Sequence, residues 1–192
     1  MKKNRSISIV LIGAPGSGKT ELAEAIKHLH PSFGIGDSPQ SMVPGGIAIG
    51  QLADYRAESH LATSRIFQEQ IMRNNGLNMI YTHSLIDSLA YTSLRNENMQ
   101  DGIVDENTKN AWFVWLGMLM IMGMDSLRAD LLFFLEGHDY RDGYSILVEE
   151  ALHDVIAFFQ MGDQINLLAN DRSQRGEESA AIIKEYLGKE NG

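Results

Sequence analysis

The chain has 192 residues and no cysteine, and its 16 Lys and Arg against 25 Asp and Glu give a net charge of −9. The missing cysteines exclude disulfides, zinc fingers, iron–sulfur sites and thiol nucleophiles, and fit a cytoplasmic location. The acidic balance argues against a general polyanion-binding surface, and the length predicts one soluble domain over residues 1–192.

Short apolar segments alternate with helical patterns along the chain. Residues 6–12, 32–37, 77–81, 130–135 and 164–168 are predicted strands. Apolar periodicity predicts helices at 20–30, 51–74, 85–95, 105–124, 143–160 and 177–187, and the Pro- and Gly-rich residues 38–50 are predicted to form a loop. Strands that are apolar on both faces and alternate with helices predict an α/β fold with three layers. In it, about five parallel strands carry helices on both faces.

Neither apolar stretch of the chain predicts a membrane or targeting segment. The basic residues 1–5 precede an apolar run that is too short for a signal peptide and ends at a Gly- and Pro-rich turn. Residues 111–124 carry no charge but fall short of the roughly 20 residues that span a bilayer. A buried helix or a subunit contact, hence a homodimer through residues 111–124, is the interpretation we favour.

One motif carries the chemistry of the sequence. It follows the first strand and opens the first helix, and it reads Gly13-Ala14-Pro15-Gly16-Ser17-Gly18-Lys19-Thr20. This is the phosphate-binding loop, or P-loop, pattern G-x-x-x-x-G-K-[ST], in which backbone N–H groups surround a polyphosphate. Lys19 is expected to reach the β- and γ-phosphates, and Thr20 to bind Mg²⁺. The sequence therefore predicts that the chain binds ATP or another nucleoside triphosphate with Mg²⁺.

The other motifs of the sequence indicate which class of P-loop protein this is. The base-specifying N-K-x-D of switch GTPases is missing. Strand three ends in Tyr81-Thr82-His83 and strand four in Leu135-Glu136, rather than in the Asp of motor ATPases. The small size and the five strands favour a nucleoside or nucleotide kinase.

Two further segments resemble known kinases. Residues 44–51, PGGIAIGQ, resemble the P-G-G-T-P-I-G-E of thymidylate kinases, and residues 82–91, THSLIDSLAY, are similar to their D-R-Y-x-x-S-S-L-A-Y. Thr63-Ser64-Arg65 falls where that family has A-D-R, and residues 82–84 fall where deoxyribonucleoside kinases have E-R-S. The resemblance implies a divergent P-loop kinase that moves the γ-phosphate of Mg²⁺–ATP to a nucleoside, nucleotide or similar small acceptor. The chain departs from those families at Met42-Val43 and Thr82-His83, where an Arg is expected.

The resemblance also implies roles for individual residues. Asp37, eighteen residues after Lys19, occupies the place of a carboxylate that acts as base or metal partner; its alternative is a turn residue. His83 is a candidate donor to the γ-phosphate or the acceptor, and its alternative is a hydrogen-bonded structural histidine. Asp87 is a candidate substrate contact or a helix cap.

Three arginine and asparagine positions complete the predicted site. Arg65 resembles an acceptor-binding arginine, although Glu69 lies four residues on and offers a salt bridge instead. Arg141 is the candidate lid residue closing on the triphosphate. Asn170, after the fifth strand, is placed near the adenine by fold analogy alone.

Two alternative functions remain open at this stage. One is a kinase acting on a modified base, such as a hydroxymethyl-pyrimidine, in DNA, which predicts a basic strip beside Asp37. The other is a nucleotide-binding regulatory or assembly protein with little transfer activity, suggested by the missing arginines at positions 42 and 83. The acidic composition ranks small acceptors before DNA.

Overall fold

The first strand, β1 (Ser8–Ile12), lies at the centre of a parallel sheet, and all five of its residues are buried. The sheet order is β2-β3-β1-β4-β5, with β2 at Phe33–Ile35, β3 at Asn78–Tyr81, β4 at Leu131–Phe134 and β5 at Ile165–Leu167. The predicted strands are thus confirmed. The computed structural model describes residues 6–45, 47, 55–99, 107, 110–111, 113–118, 129–137, 142–168 and 171–190.

Helices connect the strands. They are α1 (Lys19–Leu29), α2 (Pro39–Met42), α3 (Tyr55–Asn74), α4 (Leu85–Met99), α5 (Gly143–Phe158) and α6 (Arg172–Glu190). Residues 113–118 are also helical. None of the helices in the described part of the chain combines the length and apolarity needed to cross a membrane.

Alternating side chains of the strands divide the core between the two faces of the sheet. On one face, Val10 and Ile12 of β1 belong to a cluster with apolar residues of α3, α4 and α5. On the other face, Ile9 and Leu11 pack with apolar residues of α1 and α6. Because a strand side chain that points to one face is followed by one that points to the other, a fully apolar strand needs helices on both sides. The predicted three-layer α/β fold is confirmed.

The structure differs from the sequence prediction in three places. Residues 39–42, predicted to lie in a loop, form a helical turn that begins with Pro39, whose fixed φ suits a first helical position. Helix α6 begins at Arg172 rather than at residue 177, because Asp171 caps it by accepting a hydrogen bond from the backbone N–H of Ser173 at 2.9 Å. The predicted helix at 105–124 is not buried on all sides within 113–118, where Phe113, Val114 and Met118 are exposed. The homodimer stays a prediction.

The strand order creates a crevice at the carboxyl end of β1. The neighbours of β1 are β3 on one side and β4 on the other, so the chain order reverses at this strand. In open α/β sheets, ligands bind at such a switch point, outside the carboxyl ends of the strands. The P-loop follows β1 at this point.

Candidate functional site

The backbone of the P-loop fits closely against the end of β4. A side chain at Gly13 would place its Cβ 2.6 Å from the carbonyl oxygen of Leu135, so only glycine fits there. Gly18 caps α1 with φ 94°, in the left-handed region that favours glycine. These two positions explain why the motif needs glycine where it has it.

The side chain of Lys19 is folded onto the loop that precedes it. Its Nζ donates hydrogen bonds to the backbone carbonyls of Gly13 and Ala14, the latter at 3.1 Å. Burial lowers the pKa of Lys19, and the negative charge of Asp87 opposes that effect. The hydrogen-bond partners of this partly buried ammonium are neutral carbonyls, and a phosphate would form stronger, charge-assisted hydrogen bonds with it. The ammonium is therefore well placed to turn to a phosphate.

Ser17 supplies an observation that points to the ligand of the loop. Its hydroxyl is buried and has no hydrogen-bond partner among the described residues. A buried hydroxyl without a partner costs free energy, so such groups are rare in folded proteins unless a ligand or water completes them. The loop therefore fits a polyphosphate, and with it the predicted ATP.

A cleft of about 440 Å³ opens beside Lys19. It is lined by residues from the P-loop, α1, the α2 region, α3 and α4: Pro15, Lys19, Thr20, Ser38, Pro39, Gln40, Glu58, Leu61, Thr82, His83, Asp87 and Tyr91. The volume suits a small organic molecule. Two carboxylates, one lysine and several hydroxyl groups in one cleft make a polar site with apolar walls.

Thr20 is the residue that fits the predicted Mg²⁺. It is exposed and lies in the cleft lining next to Lys19. Mg²⁺ takes oxygen ligands and is usually held by one or two protein groups together with substrate phosphates and water, so a single hydroxyl beside the P-loop fits this ion. Among the described residues, no group of three or more His, Asp or Glu side chains is arranged to hold a metal without a substrate.

Asp87 both caps helix α4 and lines the cleft. Its carboxylate accepts hydrogen bonds from the backbone N–H (2.8 Å) and the hydroxyl of Ser84, and its own N–H donates to the Ser84 hydroxyl at 3.2 Å. This reciprocal pair is a capping box at the start of α4, the capping role that the sequence offered as an alternative. The same side chain also lines the cleft, and its charge acts on Lys19 and His83.

His83 is a buried neutral histidine in the lining of the cleft. Burial lowers the pKa of His83 to about 4; the cations of Lys19 and Arg65 add to this effect, and Asp87 opposes it. One ring nitrogen, Nε2, lies 3.1 Å from the hydroxyl of Ser88. Near neutral pH the ring is therefore uncharged and can donate or accept a hydrogen bond, but it brings no positive charge to the site.

Arg65 lies behind His83, outside the cleft lining. Its Nε donates to the backbone carbonyl of His83 at 2.9 Å, its guanidinium covers the Tyr81 ring at 3.1 Å, and its Nη2 lies 3.4 Å from Glu69. The salt bridge that the sequence offered as an alternative is therefore present. A direct contact of Arg65 with the acceptor stays a prediction.

The remaining predicted residues are not brought into the cleft lining. Asp37 is exposed after β2, and its carboxylate accepts a hydrogen bond from Nε2 of Gln68 at 2.7 Å. Arg141 and Asn170 lie outside the described residues. The structure thus brings together Lys19, Thr20, His83 and Asp87, and it leaves Asp37 at the edge of this group.

Two residues of the site were missed by sequence reasoning. Glu58, in the first turn of α3, is buried and lines the cleft. Its position just after a Pro- and Gly-rich segment, at the start of a long helix, could have signalled it. Arg175 of α6 is buried against the P-loop, and nothing in its local sequence distinguishes it from a surface arginine.

Comparisons with known proteins agree with this architecture. No protein-family model matches the chain, and no curated protein matches it by sequence. A solved structure of NadR in complex with NR is similar over 97% of this chain, with a TM-score of 0.73 and 15% identity, and the chain spans about half (51%) of that protein.

Two smaller kinases are similar over nearly their whole length. Thymidylate kinase from Candida albicans matches over 94% of this chain and 92% of its own, with a TM-score of 0.64 and 16% identity. Deoxyadenosine kinase from M. mycoides with bound dCTP matches over 93% and 100%, with a TM-score of 0.60 and 11% identity. At these identities the comparisons establish the fold. The chain has the fold of the P-loop nucleoside and nucleotide kinases.

Proposed function

We propose that the chain is a Mg²⁺–ATP-dependent kinase that transfers the γ-phosphoryl group to a hydroxyl of a nucleoside or a similar small acceptor. The observation that carries this proposal is the cleft of about 440 Å³ that has Lys19 of the P-loop and the buried carboxylates of Glu58 and Asp87 in one lining. A P-loop alone supports nucleotide binding. A cleft that adjoins its lysine and continues to residues of α3 and α4 supports transfer to an acceptor.

The residues divide into two roles. The loop amides and the Ser17 hydroxyl bind the phosphates, Lys19 stabilises the charge of the transferring group, and Thr20 holds the metal ion. When bound, Mg²⁺ neutralises phosphate charge during transfer. The acceptor oxygen forms a bond to the γ-phosphorus, the bond to the β-phosphate oxygen breaks, and ADP leaves. Glu58 takes the proton of the acceptor hydroxyl, with Asp37 as the second candidate for this role.

The charges in the cleft favour a hydroxyl over a phosphate as the accepting group. Among its described lining residues, Lys19 is the one cation, and it belongs to the triphosphate; the two acidic side chains of the lining are Glu58 and Asp87. His83 is neutral near pH 7, since its pKa is about 4. An anionic acceptor would find no cation beyond Lys19 to pair with in this lining, and burying a charge without a partner costs free energy, whereas a neutral nucleoside needs no such partner. Among the similar structures, one kinase is named for a nucleoside, deoxyadenosine, and NadR was solved in complex with NR, which supports including nucleosides and NR in an acceptor panel.

The experiment is an acceptor screen with ATP and Mg²⁺. Product ADP and phosphorylated acceptor are measured for ribonucleosides, deoxynucleosides, NR, nucleoside monophosphates and an oligonucleotide containing hydroxymethyl-pyrimidine. We expect the uncharged or cationic hydroxyl compounds to be phosphorylated and the monophosphates to be poor acceptors. Transfer to the oligonucleotide alone would support the DNA-directed alternative. Hydrolysis without transfer to any acceptor would support the regulatory alternative and overturn this proposal.

A pair of lysine variants tests whether phosphoryl transfer depends on the P-loop. Lys19→Ala removes the ammonium next to the loop carbonyls and is expected to reduce transfer by about 10³-fold or more, since it removes a charge that stabilises the transition state. Lys27→Ala on the same helix removes an exposed lysine and serves as the control, with activity unchanged. Retained transfer in Lys19→Ala would contradict the assignment.

A further inference from the structure

Arg175 joins the last helix to the P-loop. The side chain is 2% exposed, and its two terminal nitrogens donate to two backbone carbonyls from different parts of the chain. Nη1 lies 2.6 Å from the carbonyl oxygen of Ser17, and Nη2 lies 2.8 Å from that of Glu136. The planar fork of a guanidinium can hold two acceptors at fixed directions, which a lysine cannot do.

The contact with Ser17 fixes the direction of the next amide. The carbonyl of Ser17 and the N–H of Gly18 belong to one planar trans peptide, so they point in opposite directions. Arg175 holds the carbonyl on its own side, and the Gly18 N–H is therefore turned to the opposite side. Inward-pointing N–H groups of this kind are what a P-loop offers to a polyphosphate.

The contact with Glu136 ties the loop to the segment that leaves β4. The peptide between Glu136 and Gly137 is held on both sides, since its carbonyl accepts from Arg175 and its N–H donates to the carboxylate of Glu149 on α5 at 2.6 Å. The tight fit of Gly13 against the Leu135 carbonyl joins the same two segments a second time. The side chains of Arg175 on α6 and Glu149 on α5 thus connect these two helices to backbone groups of the P-loop and of the segment that follows β4.

We infer that Arg175 is a positioning residue for the polyphosphate, which sets the affinity of the P-loop by orienting the Gly18 amide and bracing the loop against the exit of β4. The inference rests on the proposed function only in that the loop binds a nucleoside triphosphate. It does not depend on the acceptor. Arg175 acts through the backbone and does not touch the phosphates itself.

The test measures binding of ADP and of tripolyphosphate by calorimetry in Arg175→Lys and Arg175→Ala. Arg175→Lys keeps the charge and loses the fork, so we expect both ligands to bind about tenfold more weakly or worse, as for a lost hydrogen bond to a charged group. Glu149→Gln, at the far end of the same chain of contacts, is expected to weaken both ligands by a smaller factor. Equal weakening of tripolyphosphate and ADP locates the effect at the phosphates rather than at the nucleoside.

A matched control separates positioning from general stability. Ile183→Val removes one methylene from a fully buried side chain on the same helix and is expected to lower the unfolding midpoint without changing either affinity. If Ile183→Val weakens phosphate binding as much as Arg175→Lys does, or if Arg175→Lys binds both ligands like the wild type, the inference is wrong. Failure of the wild type to bind either ligand would instead overturn the proposed function.

Discussion

Buried or half-buried charged groups lie at both ends of the strands: at the amino edge of the sheet, where the parallel strands begin, and at the carboxyl edge, where they end. The groups at the two edges differ in what surrounds them. At the amino edge, Arg73 donates to Glu69 at 2.8 Å and to the Ser8 hydroxyl at 3.0 Å. The Ser8 N–H in turn donates to Asp130 at 2.8 Å, and the hydroxyl of Tyr186 donates to the same carboxylate at 3.1 Å. These groups satisfy one another across β1, α3, α6 and the start of β4.

At the carboxyl edge the charged groups face a cavity instead. Lys19, Glu58 and Asp87 line the cleft, and burial lowers the pKa of both Lys19 and His83. Titratable groups that are desolvated and face an open cleft are typical of functional sites, whereas groups that pair with each other are typical of structural networks. The difference teaches that a buried charge does not by itself identify a functional site. A buried charge that faces an open cleft, rather than a partner of opposite charge, does identify one.

The largest effect that would sharpen this comparison is expected at Glu58. Glu58→Gln keeps the size of the side chain and removes the carboxylate proposed as the base, so kcat should fall by about 10²–10⁴-fold, the usual worth of general base catalysis. The unfolding midpoint in urea should hardly change. If kcat is retained and Asp37→Asn abolishes transfer instead, the base is Asp37.

The reverse outcome is expected at the amino edge. Glu69→Gln leaves the buried Arg65 and its neighbour Arg73 without their carboxylate, which should lower the free energy of unfolding by about 3 kcal/mol, as for other buried pairs that lose one partner. Transfer at a temperature where the variant is folded should stay within a few-fold of the wild type. Urea unfolding and a transfer assay on one preparation measure both quantities.

The matched control for that change is an exposed pair. Glu185→Gln breaks the salt bridge with Lys189 at 2.7 Å on the surface of α6 and should leave stability unchanged. If Glu69→Gln and Glu185→Gln lower the free energy of unfolding equally, the buried ion pair is no more important for stability than the exposed one.

The neutral histidine of the carboxyl edge predicts a pH dependence of stability. The pKa of His83 is 6.5 when unfolded and about 4 when folded, so the unfolded chain binds the extra proton between these values. Its contribution is fully present above pH 6.5 and is lost as pH falls toward 4, by about 3 kcal/mol in total. Unfolding curves from pH 7 to 4.5 should therefore converge for the wild type and His83→Gln, with the wild type losing more. Parallel curves would contradict a buried neutral histidine.

The smallest effect is expected at the capping box that orients Asp87. Ser84→Ala removes the hydroxyl that bonds to both the carboxylate and the N–H of Asp87, at a cost of about 1 kcal/mol in unfolding free energy. Ser93→Ala removes a mid-helix hydroxyl on the same helix, which bonds to the Leu89 carbonyl at 3.1 Å, and should change stability less. If the two variants are equally stable, the box contributes nothing to α4.

The elements that the sequence predicted best are those fixed by local pattern. The strands follow from runs of apolar side chains such as those of β1. The P-loop follows from its glycines, since Gly13 has no room for a side chain and Gly18 has a left-handed φ that favours glycine. The start of α6 was missed because Asp171 caps it before any apolar periodicity begins. Pro39 was predicted to lie in a loop, but proline also suits the first position of a helix, and here it begins α2.

The site was harder to predict because it depends on contacts between distant parts of the chain. The position of Asp37, eighteen residues after Lys19, predicts a site carboxylate, yet its side chain bonds to Gln68, and it is Glu58 that lines the cleft. The resemblance of Arg65 to an acceptor-binding arginine predicts a substrate contact, but its side chain packs behind His83. In both cases the direction of a side chain decides the contact, and a sequence read one segment at a time does not contain that direction.

The contact between Arg175 and Ser17 also has a consequence for how the protein is made. The two residues are 158 positions apart, and β1 pairs with strands that begin about 70 and about 120 residues later. Such distant contacts form slowly, because a long loop must close before they are gained. A nascent chain in which residue 175 is still inside the ribosome has the whole P-loop sequence outside but none of the brace that orients it. We therefore expect a ribosome-bound chain to retain nucleotide only after residue 175 has left the ribosome, so that nucleotide retention reports docking of α6 on the P-loop rather than emergence of the motif.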